Sequence, residues 1–430
     1  MRRRRITPVR PEGDTVAHDA QTGSGGAPDL AAFADEARAF LDAHARRRDG
    51  ANQFEWGKGS DYVGYFGDPE ADEQADVAAA RAWQRVRYEN GFGWITGPKA
   101  YGGRELSSLH DFIYDLVETE YDVADTGTLS VIGLGMVGPT ILAHGSEYLR
   151  ETYLPAMYRG DSIACQLFSE PAAGSDLAGV TTRAVRDADE WVVNGQKVWT
   201  SVAHHSQFGE LLCRTDPDAP KHRGITAFVM DLSLPGVTVR PLRQMTGGAE
   251  FNEVFLDNVR IPDSHRLGEV NAGWKVAMTT LMNERGTVAA DSGGAAAEAI
   301  RPERLYALMQ HLEVAGDPVA RQDLASVATD VLAARALTAR ATRRLKAGMA
   351  PGPEGSIAKL SFAANLSRGA HFATDLLGDL ATADHGEWGT FNWNQLLLGA
   401  PALRILGGTE EIMKNIIAER VLGLPKEATK

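Results

Sequence analysis

One switch in periodicity constrains this chain more than any other feature. Residues 28–161 and those after 268 carry apolar side chains at helical spacing, whereas residues 162–267 read as short strands with turn punctuation. The order is α, then β, then α, with no internal repeat and no β-α-β rhythm. This excludes a doubly wound parallel sheet. It predicts an α+β multidomain chain: a basic tail over 1–27, a helical domain over 28–162, a β-domain over 163–268 and a helical domain over 269–430.

Helical spacing is clearest where Asp29 stands ready to cap a helix carrying Leu30, Phe33, Ala37, Phe40 and Leu41. Further helices are expected over 77–88, 106–121, 142–158, 274–283, 304–312, 323–346, 357–380 and 410–421. In the β-region a polar turn over 186–190 separates Ala184-Val185 from Trp191-Val192-Val193. Asn194-Gly195 then reads as a hairpin signal ahead of Lys197-Val198-Trp199.

The 430 residues suffice for two or three packed cores, and 43% hydrophobic with 23% charged residues is ordinary for a water-soluble globular protein. No uninterrupted apolar run of membrane-spanning length is expected. A net charge of −13 argues against nucleic acid as the main partner. The arginines Arg2 to Arg5 lack the apolar segment of a signal peptide, so they read as a disordered basic tail. Cys165 and Cys213, in apolar surroundings and without metal-like spacing, fit buried thiols in a reducing cytoplasm.

Gly133-Leu134-Gly135-Met136-Val137-Gly138 fits the spacing of a dinucleotide fingerprint. That fingerprint needs a strand before it and a helix opening inside it, and here Pro139 follows. Tight helix packing is the better reading. Phe168-Ser169-Glu170-Pro171-Ala172-Ala173-Gly174-Ser175-Asp176 is a different matter. Its small and hydroxyl residues after a strand allow backbone N–H groups close to phosphates, although alone it could be an ordinary loop. Downstream, Trp199-Thr200-Ser201 sets an indole beside two hydroxyls. That suits a flavin ring needing a flat wall and a hydrogen-bond donor, where an isolated tryptophan would read as core.

Together these segments resemble the acyl-CoA dehydrogenase family. The loop is similar to its EPxAGSD signature and residues 194–201 to its NGxKxWxT/S signature. Residues 254–262 resemble the strand that closes the β-domain, and residues 407–423 the C-terminal signature. The resemblance runs from Pro28 to Lys426. It implies N-terminal helices, a middle β-barrel and a C-terminal four-helix bundle, assembled as a homotetramer or, as in some bacterial relatives acting on steroid side chains, with a related second chain. It implies FAD, with Phe168 and Ser169 along the flavin and Gly174 and Ser175 near its phosphates. Trp199 would pack on the ring and Ser201 would bond near N5, with Thr200, Thr409 and Glu411 completing the cofactor contacts.

The implied reaction removes the α-proton and β-hydride of an acyl-CoA thioester, giving the trans-2-enoyl product. Electrons then pass to an electron-transferring flavoprotein or similar acceptor. Many members place the catalytic glutamate before the Gly-Thr of the C-terminal signature, but that position is Gly407 here. Others carry it in an L-x-x-E-R pattern, which Leu281-Met282-Asn283-Glu284-Arg285 matches. The expected base is therefore Glu284, supported by Arg285, with the Gly407 N–H polarising the carbonyl. Glu410 and Glu411 are read as helix-start acids facing the dipole. His204-His205 would face opposite sides of a strand, so no metal is expected.

Two departures from the family pattern stand out. The R-x-x-F-G segment, whose arginine reaches a neighbouring subunit's FAD, is replaced by residues 314–323, where Arg321 or Gln322 are the available substitutes. Met282 replaces an aspartate that touches the pantetheine arm, which leaves a carrier-protein thioester open beside CoA. A flavin oxidase or monooxygenase on the same scaffold is the alternative activity, and a non-enzymatic partner subunit the third reading.

Overall fold

The computed structural model describes residues 28–48, 54–290, 295–346 and 352–426. The expected basic tail over 1–27 lies outside them. Helix α1 (Leu30–His44) buries Phe33, Ala37, Phe40 and Leu41, while the Asp29 side chain makes no capping bond. Helices α2 (Glu73–Glu89) and α3 (Ser108–Glu118) follow. The single helix expected over 142–158 is two, α4 (Gly138–His144) and α5 (Glu147–Arg159), because Ser146 accepts from the Leu149 N–H and starts a new helix.

The G-x-G-x-x-G stretch is helical. A Cβ on Gly138 would come within 2.8 Å of the Tyr158 hydroxyl, so this glycine serves close helix packing. By length and composition alone, Gly127–His144 is apolar enough to cross a membrane, with mean hydropathy 1.3. Its Met136, Val137 and Ile141 are nonetheless buried against the rest of the protein.

The middle domain comprises β1 (Ala164–Leu167), β2 (Arg183–Asp187), β3 (Glu190–Ser201), β4 (Phe208–Arg214), β5 (Ile225–Asp231), β6 (Val237–Leu242), β7 (Phe251–Pro262) and β8 (Arg266–Leu267). They form one sheet in the order β8-β5-β4-β2-β3-β7-β6, with β1 parallel to β4. The hairpin turn lies at Asp187–Glu190, as expected from its polar residues. Asn194-Gly195 is not a turn but an irregularity inside β3, between the paired residues Val193 and Gly195. Glycine is required there by proximity: a Cβ would meet the Thr182 Oγ1 at 2.4 Å.

Strand alternation gives the sheet two cores. Cys165, Leu167, Leu211, Cys213, Phe228 and Met230 pack inside its curl. Ala164, Phe168, Leu212, Ala227 and Val229 face the helices and meet Val137, Ile141, Val276 and Ala277.

Helices α6 (Gly273–Ala290), α7 (Pro302–His311), α8 (Pro318–Lys346), α9 (Gly355–Leu377), α10 (Trp393–Leu403) and α11 (Glu410–Ile416) complete the chain. Helix α9 packs against α6, α8 and α10, which gives the bundle. Helix α10 was not expected, since it follows the glycine break at 386–389 and contains Pro401. Residues 54–66 also lie differently from the domain boundaries read in the sequence, for they pack on the C-terminal bundle. The Asp61 carboxylate accepts from the Gly389 N–H at 2.9 Å and Asn392 Nδ2 at 2.8 Å, and Trp56 stacks on His311.

One polar seam joins all three domains. Glu210 on β4 is fully buried, and the Thr280 Oγ1 of α6 lies 2.8 and 2.9 Å from its two oxygens. The Thr280 hydroxyl also meets the Thr140 Oγ1 of α4 at 2.9 Å. Burial pushes the Glu210 carboxyl up to about 8, so it is held as the neutral acid. A raised acid loses stabilising power as pH climbs, because the unfolded chain ionises near 4.5 while the folded one resists until about 8. Glu210→Gln, neutral throughout, should match the parent in urea unfolding at pH 5 and exceed it by roughly 2–4 kcal/mol at pH 8. A stability gap that stays constant between the two pH values would refute the neutral-acid assignment.

Candidate active site

The loop after β1 is fixed by a buried ion pair. Lys197, fully buried on β3, places Nζ 2.8 Å from Glu170 Oε1 and 3.1 Å from the Phe168 carbonyl. The Glu170 carboxylate also accepts from the Thr181 N–H and hydroxyl, each at 2.7 Å, and from the Thr182 N–H at 2.9 Å. Burial alone would raise this carboxyl, yet the Lys197 charge and these hydrogen bonds hold it down to about 2. The Val198 N–H then donates to the Ser169 carbonyl at 2.9 Å. Ser169 is thereby laced to the strand that carries Trp199. Arg214 closes the far side of the loop through the carbonyls of Ala178, Val180 and Lys221.

A register shift between Lys197 and Thr200 turns Trp199 outward. Its φ is 59° and the indole is 61% exposed, edge-on to Phe251 at 5.9 Å. An indole this open, on a backbone conformation that costs energy, calls for a flat group to cover it. Ser201 is half-buried, whereas Thr200 is buried with its Oγ1 unpartnered, so its side chain packs within the sheet. Phe168 is also buried and sits in the helix-facing core. Gly174 and Ser175 are exposed on the loop, with open space around Gly174.

The C-terminal signature forms the turn between α10 and α11. Gly407 and Gly408 have φ of 64° and 90°, a left-handed path that any side chain at 407 would strain. Thr409 accepts from the Ile412 N–H and caps α11, and Glu411 lies exposed in the first turn. Glu410 is held by Arg404, at 2.8 and 3.1 Å, which agrees with a structural role. Lys359 of α9, which no motif marks, donates to the Leu403 carbonyl at 2.8 Å and the Gly408 carbonyl at 2.7 Å. Burial lowers its pKa, and the charges of Glu410 and Glu284 work to raise it. Glu284 is half-buried on α6. Arg285 continues α6, but its side chain lies outside the described residues.

One expectation changes, that for the paired histidines. His204 and His205 do not lie on a strand facing opposite ways. They occupy a turn after β3, and each Nε2 is 3.1 Å from Glu73 Oε1. Asn252 Nδ2, which donates to the Thr200 carbonyl, also meets His204 Nδ1 at 2.9 Å. This puts the His204 proton on Nε2, the atom that a metal would need. Arg321 donates to the Ala315 carbonyl of its own turn at 3.3 Å and Gln322 is exposed.

These residues fit FAD. The uncovered Trp199 indole, the open Gly174 loop and the buried, unpartnered Gln166 Nε2, two residues before Phe168 on β1, are what a flat, hydrogen-bonding, phosphate-bearing group would satisfy. Gln166 escaped sequence reading because nothing distinguishes a polar residue in a strand from a solvated one. An α-β-α fold with an exposed indole and a loop locked beside it fits a flavin-dependent oxidoreductase. Family models agree: the acyl-CoA dehydrogenase N-terminal, middle and C-terminal domains match residues 67–161, 165–259 and 271–422. The chain belongs to the acyl-CoA dehydrogenase family, whose cofactor is FAD.

Among its relatives, acyl-CoA dehydrogenase IpdE1 of Mycobacterium tuberculosis is 39% identical over 81% of this chain and 89% of its own length. Acyl-CoA dehydrogenase FadE34 of the same organism is 44% identical over 67% of this chain, a stretch that spans 39% of FadE34. The solved structure of the Tcur3481-Tcur3483 steroid ACAD shares 25% identity over 93% of this chain and 98% of the solved chain, with a TM-score of 0.69.

Removing one partner of a buried ion pair strands the other charge. Lys197→Met should cost about 3–5 kcal/mol in urea unfolding and release FAD from the purified protein. Wild-type stability with full retention of flavin would show that the pair does not organise the loop.

Proposed function

We propose that this chain catalyses α,β-dehydrogenation of an acyl-CoA thioester, with Glu284 removing the α-proton. The observation that carries this reading is the family fold with Glu284 half-buried on α6 and a glycine, not a carboxylate, at position 407. The α-hydrogen of a thioester is weakly acidic, so the carbonyl must be polarised while a carboxylate takes the proton. Gly407 serves that end with its backbone N–H and needs no side chain. A carboxylate that follows from α6 instead occupies the role that position 407 has given up.

Trp199, Ser201, Ser169 and the Gly174–Ser175 loop hold the cofactor, with Gln166 supplying a further donor. FAD bound there provides the acceptor for the hydride leaving the β-carbon. Trp199 and Phe251 form an apolar flank that limits water around the reacting carbons. Arg285 supports the charge of its neighbour. The physiological acceptor is an electron-transferring flavoprotein or a protein of similar chemistry, and the assembly is a tetramer, of identical chains or with a related one.

The likeness to the Tcur3481-Tcur3483 steroid ACAD favours a bulky, ring-bearing acyl group over a short linear one. Anaerobic mixing with short, long, branched and steroidal acyl-CoAs should bleach the flavin absorbance, fastest with the steroidal thioester. Glu284→Gln should retain FAD and lower the bleaching rate at least about 10³-fold, in keeping with the loss of a catalytic base. Bleaching at the parent rate would remove Glu284 from the mechanism.

A further inference from the structure

We infer that a hydrogen-bonded relay from helix α2, running from Glu73 through His204 and Asn252 to the Thr200 carbonyl, positions the Trp199–Ser201 flavin wall. The N-terminal domain thereby sets the surroundings of the cofactor. The inference rests on the reading of Trp199 and Ser201 as that wall.

The wall is strained where β3 gives way to the turn. Within four residues, Trp199 and Val202 both have left-handed backbones, with φ of 59° and 53°. For a β-branched valine this conformation is costly, and it persists only where surrounding contacts over-determine it. The sheet supplies part of the constraint, since the Val202 N–H donates to the Glu250 carbonyl at 2.9 Å. Its ladder is interrupted between Lys197 and Thr200, however, so pairing with β7 leaves Trp199 unheld. Two further contacts come from α2. Val202 packs against the cluster of Val77, Ala80, Leu129 and Ile163, whose first two members belong to that helix. One helical turn before Val77, Glu73 Oε1 lies 3.1 Å from Nε2 of both His204 and His205.

Asn252 carries the relay inward. It is fully buried on β7, and its Nδ2 donates to the Thr200 carbonyl at 3.0 Å and to His204 Nδ1 at 2.9 Å. The Glu250 carbonyl, at 3.4 Å, is a longer third approach. The Thr200 carbonyl can only accept, so the amide cannot turn over without setting oxygen against oxygen. Among the described residues the buried Asn252 Oδ1 has no hydrogen-bond partner, a cost borne so that both N–H groups stay committed. The oxygen they hold belongs to the peptide bond between Thr200 and Ser201. That unit is planar, so fixing its oxygen also fixes the Ser201 N–H and the direction in which the serine leaves the strand. Glu73, His204 and Asn252 therefore act through the wall and are positioning residues.

The test compares His204→Phe and His204→Gln in the FAD-loaded full chain. Phenylalanine fills the space of the ring but removes both nitrogens, whereas glutamine keeps an acceptor for Asn252 and a donor for Glu73 on one amide. His204→Phe should raise the FAD dissociation constant about 10-fold, the equivalent of one buried hydrogen bond. It should also alter the visible circular dichroism of the bound flavin, which reports how asymmetrically the ring is surrounded. His204→Gln should return both readings to the parent's. Parent-like affinity in His204→Phe overturns the proposal. So does weakened affinity with unchanged dichroism, which is the mark of a merely loosened chain, and so does a glutamine variant as impaired as the phenylalanine one. If His204→Phe fails to fold, Glu73→Ala decides, because it severs the relay at an exposed helix start far from the sheet. Unchanged flavin dichroism in that variant is equally fatal. Failure of the wall reading has a separate sign, namely Trp199→Ala with the parent's flavin dichroism.

Discussion

The buried contact between Lys197 and Glu170 is the constraint on which the flavin side of this protein depends. Neither charge could stay in the interior without the other, and the pair is supported by three further hydrogen bonds to Glu170 and one to the Phe168 carbonyl. Its importance lies in geometry more than in net stability. The two residues belong to separate segments, a loop after β1 and the middle of β3, and their contact sets Ser169 against Val198. Trp199 and Ser201 then follow from strand direction and the register shift.

A similar device holds the C-terminal signature, where Lys359 joins the ends of a glycine turn instead of a loop and a strand. The seam of Glu210, Thr280 and Thr140 is uncharged and wholly buried. Thr280 lies one helical turn before Glu284 on α6, so the seam sets the height of that helix over the sheet. A buried polar contact with one satisfied arrangement specifies register better than apolar packing, which tolerates sliding.

Much of the fold was legible because it rests on periodicity. Phe33, Ala37, Phe40 and Leu41 announce a buried face, and the α-β-α order follows from such faces alone. The errors share a cause: local signals were overruled by distant contacts. Asn194-Gly195 has the chemistry of a turn, but Thr182 lies against Gly195 and keeps the chain extended. His204 and His205 were assigned strand geometry, whereas the strand ends at Ser201 and both rings swing toward Glu73. For the site, the motif residues were readable, but Glu170 and Lys197 appeared only as letters of two signatures. Lys359 and Gln166 were invisible, since a lysine on a helix and a glutamine on a strand are solvated in most sequences. Only the burial of each, which comes from elements far away in the chain, gives them a role.

The segment over 54–66 has a further consequence, for the order in which the chain can assemble. Asp61 finds its partner N–H at Gly389, 328 residues later, and Trp56, Val63 and Tyr65 pack against helices made long after them. Contacts this distant in sequence form late and slowly. A growing chain therefore carries an aromatic strap with nowhere to dock until α10 has emerged. Assembly of the C-terminal bundle and burial of that strap are one event, and any chain ending before Gly389 leaves those aromatic rings in water.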